Sequence, residues 1–315
     1  MKKVRIGTRG SQLALYQTNL VAGFLRKDHP QIEVEIVTIK TTGDKILDSP
    51  LSKIGDKGLF TKEIEKAIFE NEIDCAVHSL KDLPTELPAG LKIVAFGVRE
   101  DVRDALIAQD GMKLLELPKG ATVATGSLRR RSQLLHLRSD LNLVDIRGNL
   151  NTRLSKLEEE GYAGILVAYA GIKRLGMADK VTEVLEPETM LPAVGQGIIA
   201  VEAREDNEEM NQLLEGFNNS DSEFAAFAER AFLRRLEGGC QVPIGIYTSF
   251  EKKELTGMVA SLDGENLIKD SVELDKDKPV KCGTALAERL LSLGADKILG
   301  EIRAAFPSPI RRGLG

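Results

Sequence analysis

The chain has 315 residues, of which 42% are hydrophobic and 29% are charged, and its formal net charge is −5. These values are typical of soluble globular proteins, and the acidic balance argues against general nucleic-acid binding, which needs a basic face to displace counterions. The longest apolar run, 163–172, is too short to cross a bilayer, and the N-terminus MKKVRIGTRG has no apolar signal core. We therefore expect a cytoplasmic protein with neither a nucleic-acid nor a membrane partner.

The first hundred residues alternate β-rich runs with helical patterns. The predicted strands are KKVRIGT, IEVEIVTIK, CAVHS and LKIVAFGV, and the predicted helices are 11–29 and FTKEIEKAIFE. This alternation predicts βαβ units around a mostly parallel sheet. The long segment 41–60, with Lys53 and Lys57, fits either an active-site lid or an ordinary surface excursion.

A second α/β set follows a boundary near 98–104. Its predicted strands are ATVAT, LNLVDIR and GILVAYAG, with helices at 128–136 and 151–160, and the strand IIAVEAR and a helix at 222–236 come next. From residue 244 the strand-like runs IGIYTSF, ELTGMVASL and NLIKDSVEL precede the amphipathic helix GTALAERLLSL. The predicted fold is α/β, with two similar doubly wound α/β domains and a small α+β C-terminal domain.

An arginine-rich segment lies at 126–153, where six arginines stand against two acids. It follows a predicted strand, and Ser127 begins a predicted helix, where hydroxyls and free N–H groups favour anions. Arginine forks suit carboxylates and phosphates, so the group indicates a polyanionic ligand. For any single arginine, a solvated helix face paired with acids elsewhere is an equally good interpretation.

The motif HSLKDLP, 78–84, directly follows a predicted apolar strand. In open α/β sheets, ligands bind beyond the carboxyl ends of the strands, where His78, Ser79, Lys81 and Asp82 would stand. A carboxylate there could stabilise a cation or move a proton. Asp82 could equally be a turn residue before Leu83 and Pro84, and His78 a core histidine.

Three widely spaced cysteines, with no CxxC pair, predict reduced thiols and no metal site. Cys75 lies inside a predicted strand, so we expect a small buried hydrophobic residue there, whereas Cys282 has no clear role. Cys240 follows two glycines and precedes Pro243 in LEGGCQVP, so we expect a thiol on a constrained loop. Covalent attachment or nucleophilic chemistry is as well supported there as a buried structural cysteine.

Nine motifs together resemble the porphobilinogen deaminases, a family of tetrapyrrole biosynthesis, from about Val4 to Arg303. They occur in the family's order: IGTRGSQLAL, GDKGLFTKEIE, AVHSLKDLP, REDVRDA, TGSLRRRSQL, RGNLNTRLSKL, AGIKRLG, LPAVGQG and ERAFLRRLEGGCQVPIG. The resemblance implies a transferase that condenses four porphobilinogen molecules, with loss of ammonia, into linear hydroxymethylbilane. It also implies a dipyrromethane primer bound through a thioether to Cys240, with Asp82 as the catalytic carboxylate and a monomer as the expected state.

The same matching implies which residues bind the carboxylates of primer and substrate. They are Arg9, Ser11, Lys81, Thr125, Ser127, Arg129, Arg130, Arg147, Arg153, Arg174 and Gln196. The implied domains are 1–97 with 198–216, then 98–197, both like type II periplasmic binding proteins, and 217–315 with the cysteine loop. The segment 41–60, with Lys53 and Lys57, would be a mobile cover over the cleft.

Three positions depart from the family pattern: Gly126 stands where serine is common, Val102 replaces a proline, and Tyr169 replaces a smaller residue. Two other functions compete with the deaminase hypothesis. A cytosolic two-lobed protein could bind an organic anion without catalysis, but this leaves Cys240 unexplained. A cysteine hydrolase using Cys240 with His78 has no further motif behind it.

Overall fold

The computed structural model describes residues 3–45, 58–238 and 242–305. They form two compact units. The first unit contains 3–45, 58–101 and 195–226, and the second contains 102–194, 227–238 and 242–305.

The first unit is built on a five-stranded sheet of order β2-β1-β3-β10-β4. Its strands are β1 (Lys3–Thr8), β2 (Glu33–Thr38), β3 (Cys75–Ser79), β4 (Leu91–Phe96) and β10 (Ile199–Arg204). β1 pairs in parallel with β2 and β3, whereas β10 runs antiparallel to β3 and β4. Four strands therefore share one direction, as the βαβ pattern predicts.

Five helices belong wholly or in part to this unit: α1 (Gln12–Asp28), α2 (Thr42–Lys45), α3 (Lys62–Phe69), α7 (Glu208–Leu214) and the first part of α8 (Ser220–Arg235). On one face of the sheet, Val4, Ile6 and Val201 form a core with Val21 and Leu25 of α1. Elsewhere Ala76 of β3 packs with Ile64 and Ile68 of α3. Helices thus supply the apolar cover that a mostly parallel sheet needs.

The second unit repeats this order in a sheet arranged β7-β6-β8-β5-β9. Its strands are β5 (Asp104–Ala108), β6 (Thr122–Ala124), β7 (Asn142–Val144), β8 (Gly164–Ala168) and β9 (Glu183–Leu185). β6 pairs in parallel with β7 and β8, and β5 runs antiparallel to β8 and β9. β6, β7, β8, β5 and β9 therefore correspond to β1, β2, β3, β10 and β4.

The helices of this sheet are α4 (Leu128–Leu137), α5 (Leu150–Glu159) and α6 (Tyr169–Arg174).

The unit also holds an antiparallel three-stranded sheet of β11 (Ile244–Ser249), β12 (Glu254–Ala260) and β13 (Leu267–Glu273), with α9 (Pro279–Leu290) and α10 (Asp296–Ala305). Gly257 of β12 lies where an added Cβ would meet the ring of Phe232 and the side chain of Leu286, so this sheet packs closely on α8 and α9. Short 3-10 helices occur at Leu80–Asp82, Gln109–Gly111, Leu114–Glu116, Ala178–Lys180 and Glu215–Phe217, and a π-helical turn at Leu291–Ala295.

The predicted fold class is confirmed: two similar α/β sheets and a smaller C-terminal sheet with helices. The strand predicted in LNLVDIR is limited to Asn142–Val144, and the helix predicted at 222–236 begins at Ser220. The strand predicted in GILVAYAG ends at Ala168, and its last three residues begin α6. The sequence did not indicate β5, β9, α2, α6, α7 or α10. The residue bounds of the three predicted domains stay a prediction. Among the described residues, no helix is long and apolar enough to span a bilayer.

Candidate active site

The carboxyl ends of β1, β2 and β3 meet at one edge of the first sheet, because these strands are parallel. Arg9 and Ser11 follow β1, Asp44 lies in α2 after β2, and Lys81 and Asp82 lie in the 3-10 turn after β3. Such an edge is the usual ligand site of open α/β sheets.

An open pocket lies at this edge. Its polar lining residues are Arg9, Ser11, Gln17, Thr61, His78, Ser79 and Asp82. The pocket brings together the predicted residues Arg9, Ser11 and Asp82. Lys81 is an exposed neighbour of Asp82 in the same turn.

Helix α1 begins at the pocket with Ser11 as its N-cap, as the sequence predicts. The Ser11 Oγ accepts a hydrogen bond from the Ala14 N–H at 3.3 Å, which satisfies one of the free donors of the first turn. One turn later, the Gln17 amide donates to the Ser79 Oγ at 2.9 Å. These two contacts fix the hydroxyl-bearing side of the pocket.

Arg9 supplies the positive charge of the pocket. Its Nε donates to Asp44 Oδ1 at 3.1 Å, and its guanidinium carbon lies 4.1 Å from the centre of the Phe60 ring. Burial by itself raises the pKa of Asp44, but hydrogen bonds from Arg9 and Thr41 and the Arg9 charge outweigh it, so the pKa of Asp44 is lowered. Asp44 thus stays ionised and holds the guanidinium over the ring.

Asp82 is exposed at the end of the turn Leu80–Asp82. The Leu80 N–H donates to the Ile198 carbonyl at 3.0 Å, and the Leu83 N–H donates to the Leu80 carbonyl. Gly195 has φ +70°, and a Cβ there would lie 2.7 Å from Leu80 Cγ. A glycine at 195 therefore lets the chain pack on the turn that carries Asp82.

The second sheet carries its predicted residues at the matching edge. Thr125 and Ser127 follow β6, Arg147 follows β7, and Arg174 lies in α6 after β8. The Ser127 Oγ caps α4 by accepting from the Arg130 N–H at 3.4 Å. Arg153 lies in α5, where its Nε donates to the Gly148 carbonyl at 2.9 Å.

Arg129 and Arg130 do not extend into solvent, since they are only 5% and 6% exposed. Each donates to a different oxygen of Asp104, both at 2.7 Å, and they also donate to the carbonyls of Leu191 and Leu166. Burial raises the pKa of Asp104, but the two arginine charges and their hydrogen bonds hold it well below its usual range. Burial lowers the pKa of Arg129, against the opposing Asp104 charge. This pair forms a closed network beneath the start of α4.

The remaining predicted residues are placed as follows. Burial lowers the pKa of Arg147, which is half-buried beside Asp145. Gln196 is buried in the first unit, and its backbone carbonyl accepts from Arg99 Nε at 2.9 Å. Cys240, Lys53 and Lys57 lie outside the described residues. Cys75 is fully buried, as predicted, and burial raises the pKa of its thiol.

Cys282 is also buried, and its Sγ accepts a hydrogen bond from the Asp275 N–H at 3.2 Å. Within the described ranges, no group of three or more His, Cys, Asp or Glu side chains is arranged to hold a metal ion.

Four acids that the structure buries wholly or in part were not singled out from the sequence: Asp44, Glu65, Asp104 and Glu202. One signal was available, because Glu202 is the only acid inside the apolar strand IIAVEAR. A charged residue in a buried strand needs a partner or a function.

The fold and this pocket define a class: an α/β protein with a polar pocket beyond the carboxyl ends of its strands. Family models for the porphobilinogen deaminase dipyrromethane cofactor-binding domain and C-terminal domain match residues 4–212 and 224–292. A porphobilinogen deaminase of Carboxydothermus hydrogenoformans is 55% identical over 96% of this chain and 98% of that protein. Relatives of the same name from Desulfitobacterium hafniense and Chlorobium limicola are 52% and 50% identical, with the same shares covered. The chain belongs to the porphobilinogen deaminase family.

Solved structures with a similar chain fold include the periplasmic aliphatic sulphonate-binding protein of Escherichia coli. It is 13% identical, with a TM-score of 0.39, and the match covers 98% of this chain and 80% of that one.

The family membership confirms the predicted resemblance, the transferase class and the dipyrromethane cofactor. It supports the enzyme over the two alternatives, the organic-anion binding protein and the cysteine hydrolase.

Proposed function

We propose that this chain condenses four porphobilinogen molecules, with loss of ammonia, into linear hydroxymethylbilane on a dipyrromethane primer joined to Cys240 by a thioether. The observation that carries the proposal is the pocket that holds Asp82 beside Arg9 and Ser11, in a chain of this family. The role of Cys240 rests on the motif LEGGCQVP and on the family, since this residue lies outside the described ranges.

The described residues fit a ligand with pyrrole N–H groups and carboxylates. The pocket offers a guanidinium from Arg9, hydroxyls from Ser11 and Ser79, and one exposed carboxylate from Asp82. When bound, the dipyrromethane supplies a pyrrole α-carbon as the nucleophile.

Asp82 is the proposed catalytic carboxylate. Loss of ammonia from the substrate leaves positive charge next to a pyrrole N–H, and a fixed carboxylate can accept that N–H and stabilise the charge. Support comes from its position at the carboxyl end of β3, in a turn held by two backbone hydrogen bonds.

The proposed carboxylate-binding residues differ in how freely they could act. Lys81 is exposed, and Arg147, Arg153 and Arg174 are half-buried after strands that end at one edge. Arg129 and Arg130 would reach a ligand only by exchanging Asp104 or a backbone carbonyl for it. Thr125, Ser127 and Gln196 complete the proposed set.

We also propose the three domains given by the family pattern, 1–97 with 198–216, 98–197 and 217–315. The return of the chain to the first sheet as β10 supports the split of the first domain. A cytoplasmic location and a monomeric state are part of the same proposal. So is the role of Lys53 and Lys57 in a cover over the site.

The intact denatured mass tests the anchor. We expect an excess matching dipyrromethane in the wild type, its loss in Cys240→Ser, and its retention in Cys282→Ser, the matched control. An excess that survives in Cys240→Ser would rule out this attachment site.

Turnover tests the carboxylate. Asp82→Asn should keep the cofactor mass and lose about 10²- to 10⁴-fold in kcat, because the stabilising charge is gone. Glu86→Gln removes another exposed acid nearby and should leave kcat unchanged. Near-normal release of hydroxymethylbilane by Asp82→Asn would contradict the assigned role.

A further inference from the structure

Three titratable side chains of the first unit lie buried together. Glu65 of α3, His78 of β3 and Glu202 of β10 are 7%, 7% and 0% exposed. His78 Nε2 lies 3.0 Å from Glu202 Oε2. In the antiparallel register His78 pairs with Ala200, and Glu202 pairs with Ala76, so both side chains are on the face of the sheet that packs on α3.

Polar atoms of this cluster lack the hydrogen bonds that burial normally demands. Among the described residues, neither oxygen of Glu202, nor His78 Nε2, nor Glu65 Oε1 has a partner with hydrogen-bond geometry. The 3.0 Å approach of His78 Nε2 to Glu202 Oε2 is therefore a close polar contact without a well-directed hydrogen bond. Unsatisfied buried polar groups cost stability, so a purely structural role does not account for three of them.

The charges of the cluster favour retention of a proton. Burial raises the pKa of Glu65, and the Glu202 charge raises it further, whereas the nearby Thr61 hydroxyl and the charges of His78 and Lys62 lower it. Glu63, another acid of α3, accepts a hydrogen bond from the Thr42 hydroxyl. Two carboxylates in one buried site are not both ionised at low cost unless a cation or a shared proton lies between them.

The cluster borders the pocket through His78. That side chain lines the pocket together with Arg9, Ser79 and Asp82, and Lys81 stands in the turn beyond. His78 and the proposed catalytic carboxylate, Asp82, thus line the same pocket.

We propose that Glu65, His78 and Glu202 form a proton-holding site that serves the pocket. His78 exchanges the proton, and the two carboxylates are positioning residues that act through it.

This proposal rests on the proposed function. In each condensation the C–N bond of the substrate's ammoniomethyl group breaks, and its electron pair leaves with the nitrogen as ammonia. A C–C bond forms at the α-carbon of the acceptor pyrrole, which then releases its proton. Ammonia finally takes up one proton as ammonium, so the step balances without a redox partner, and a base must accept the proton that the acceptor pyrrole releases.

Histidine NMR tests the cluster without any turnover. The chain has only three histidines, His29, His78 and His136, so ring-labelled protein gives few signals, which single His→Gln variants assign. In Glu202→Gln the titration midpoint of the His78 ring should move to lower pH than in the wild type, because a neutral amide replaces the carboxylate oxygen 3.0 Å from Nε2. The signals of His29 and His136 should not move.

Glu229→Gln is the matched control, since Glu229 is equally buried but bonded to Thr248 in the second unit. It should leave the His78 titration where it is. Glu65→Gln, as a second variant, should move the midpoint in the same direction. A His78 titration identical in wild type, Glu65→Gln and Glu202→Gln would overturn the proposal.

The pH profile of kcat tests the link to the reaction, on protein whose cofactor mass has been verified. Glu202→Gln should lower kcat about tenfold or more, shift one limb of the profile to lower pH, and leave KM within about twofold. Glu202→Asp should restore part of the loss. A uniform fall in kcat with an unshifted pH profile would mean that the cluster has only a structural role. The Cys240 and Asp82 experiments fail or succeed independently of the NMR titration, so the two proposals are separable.

Discussion

The two five-stranded sheets share one strand order, yet they hold buried charge in opposite ways. Each has an acid on its antiparallel strand, Asp104 on β5 and Glu202 on β10. Asp104 receives two guanidinium hydrogen bonds at 2.7 Å, whereas Glu202 has only a 3.0 Å contact with His78 Nε2 that lacks hydrogen-bond geometry. Hydrogen-bonded buried groups stabilise a fold, whereas buried polar groups without partners cost stability.

The difference also separates two uses of arginine. Arg129 and Arg130 are buried and donate to Asp104 and to backbone carbonyls, so they support the start of α4 from below. Arg9 is only partly buried, lies over Phe60 and faces the pocket. The same residue type therefore builds the edge of one sheet and lines the site of the other.

Substitution of the two buried acids, Asp104 and Glu202, should show the largest difference between the two sheets. Asp104→Asn leaves two buried guanidinium groups without their counter-charge, and we expect the free energy of unfolding to fall by about 3–5 kcal/mol. Glu202→Gln removes a buried charge that has no good hydrogen bond, so the change should stay within about 1 kcal/mol. Urea denaturation at neutral pH measures both.

Asp140→Asn is a control for the first variant, since the Arg138 and Asp140 side chains are 16% and 25% exposed, against 6% and 0% for Arg129 and Asp104. A partly exposed pair of this kind should contribute about 1 kcal/mol or less. Equal losses in Asp104→Asn and Glu202→Gln would contradict the distinction between the two clusters.

A smaller effect is expected from the glycines at the two sheet edges. Gly195→Ala forces a side chain into φ +70° and against Leu80, at a cost of about 1–3 kcal/mol. Gly126→Ala has no such φ, but its Cβ would lie 2.9 Å from the Ile146 carbonyl oxygen, and we expect about 1 kcal/mol. Only Gly195→Ala should also lower kcat, because Leu80 precedes Lys81 and Asp82.

Urea denaturation and kcat, measured for both glycine variants, show which of the two contacts matters more. A larger loss of stability in Gly126→Ala than in Gly195→Ala would show that the backbone contact, and not the left-handed conformation, controls these edges.

The sequence predicts well what local pattern determines. Ser11 and Ser127 begin helices as expected, and the strands that carry Arg9 and Asp82 occur where their apolar runs stand. The position of His78 at the end of its strand follows in the same way.

It predicts poorly what long-range pairing determines. Strand β9 has three residues, too few for a periodic signal, and is defined by its pairing with β5; β6 and β7 are as short, but they lie within the predicted runs ATVAT and LNLVDIR. The contact of Asp104 with Arg129 and Arg130 joins residues 25 and 26 positions apart, and composition alone made these arginines ligand candidates. Glu65 lies in the charged run FTKEIEKAIFE, where nothing local separates a buried acid from a solvated one.

The smallest predicted effect is on the pH dependence of stability, where the two clusters should act with opposite sign. The pKa of Asp104 is lowered in the folded state, so its contribution is complete at neutral pH and is lost as the pH falls below about 4, the ordinary value of an aspartate. The pKa of Glu65 is raised, so the folded state binds the proton more tightly, and stability falls as the pH rises from about 4.3 through the raised pKa. Glu65→Gln should therefore flatten the slope of unfolding free energy between about pH 4.5 and 7 and leave the acid limb below pH 4 unchanged. Urea denaturation across this range, with Glu86→Gln as the exposed control, measures it. A slope that persists in Glu65→Gln would mean that the proton is held on another group and would shift attention to Glu202.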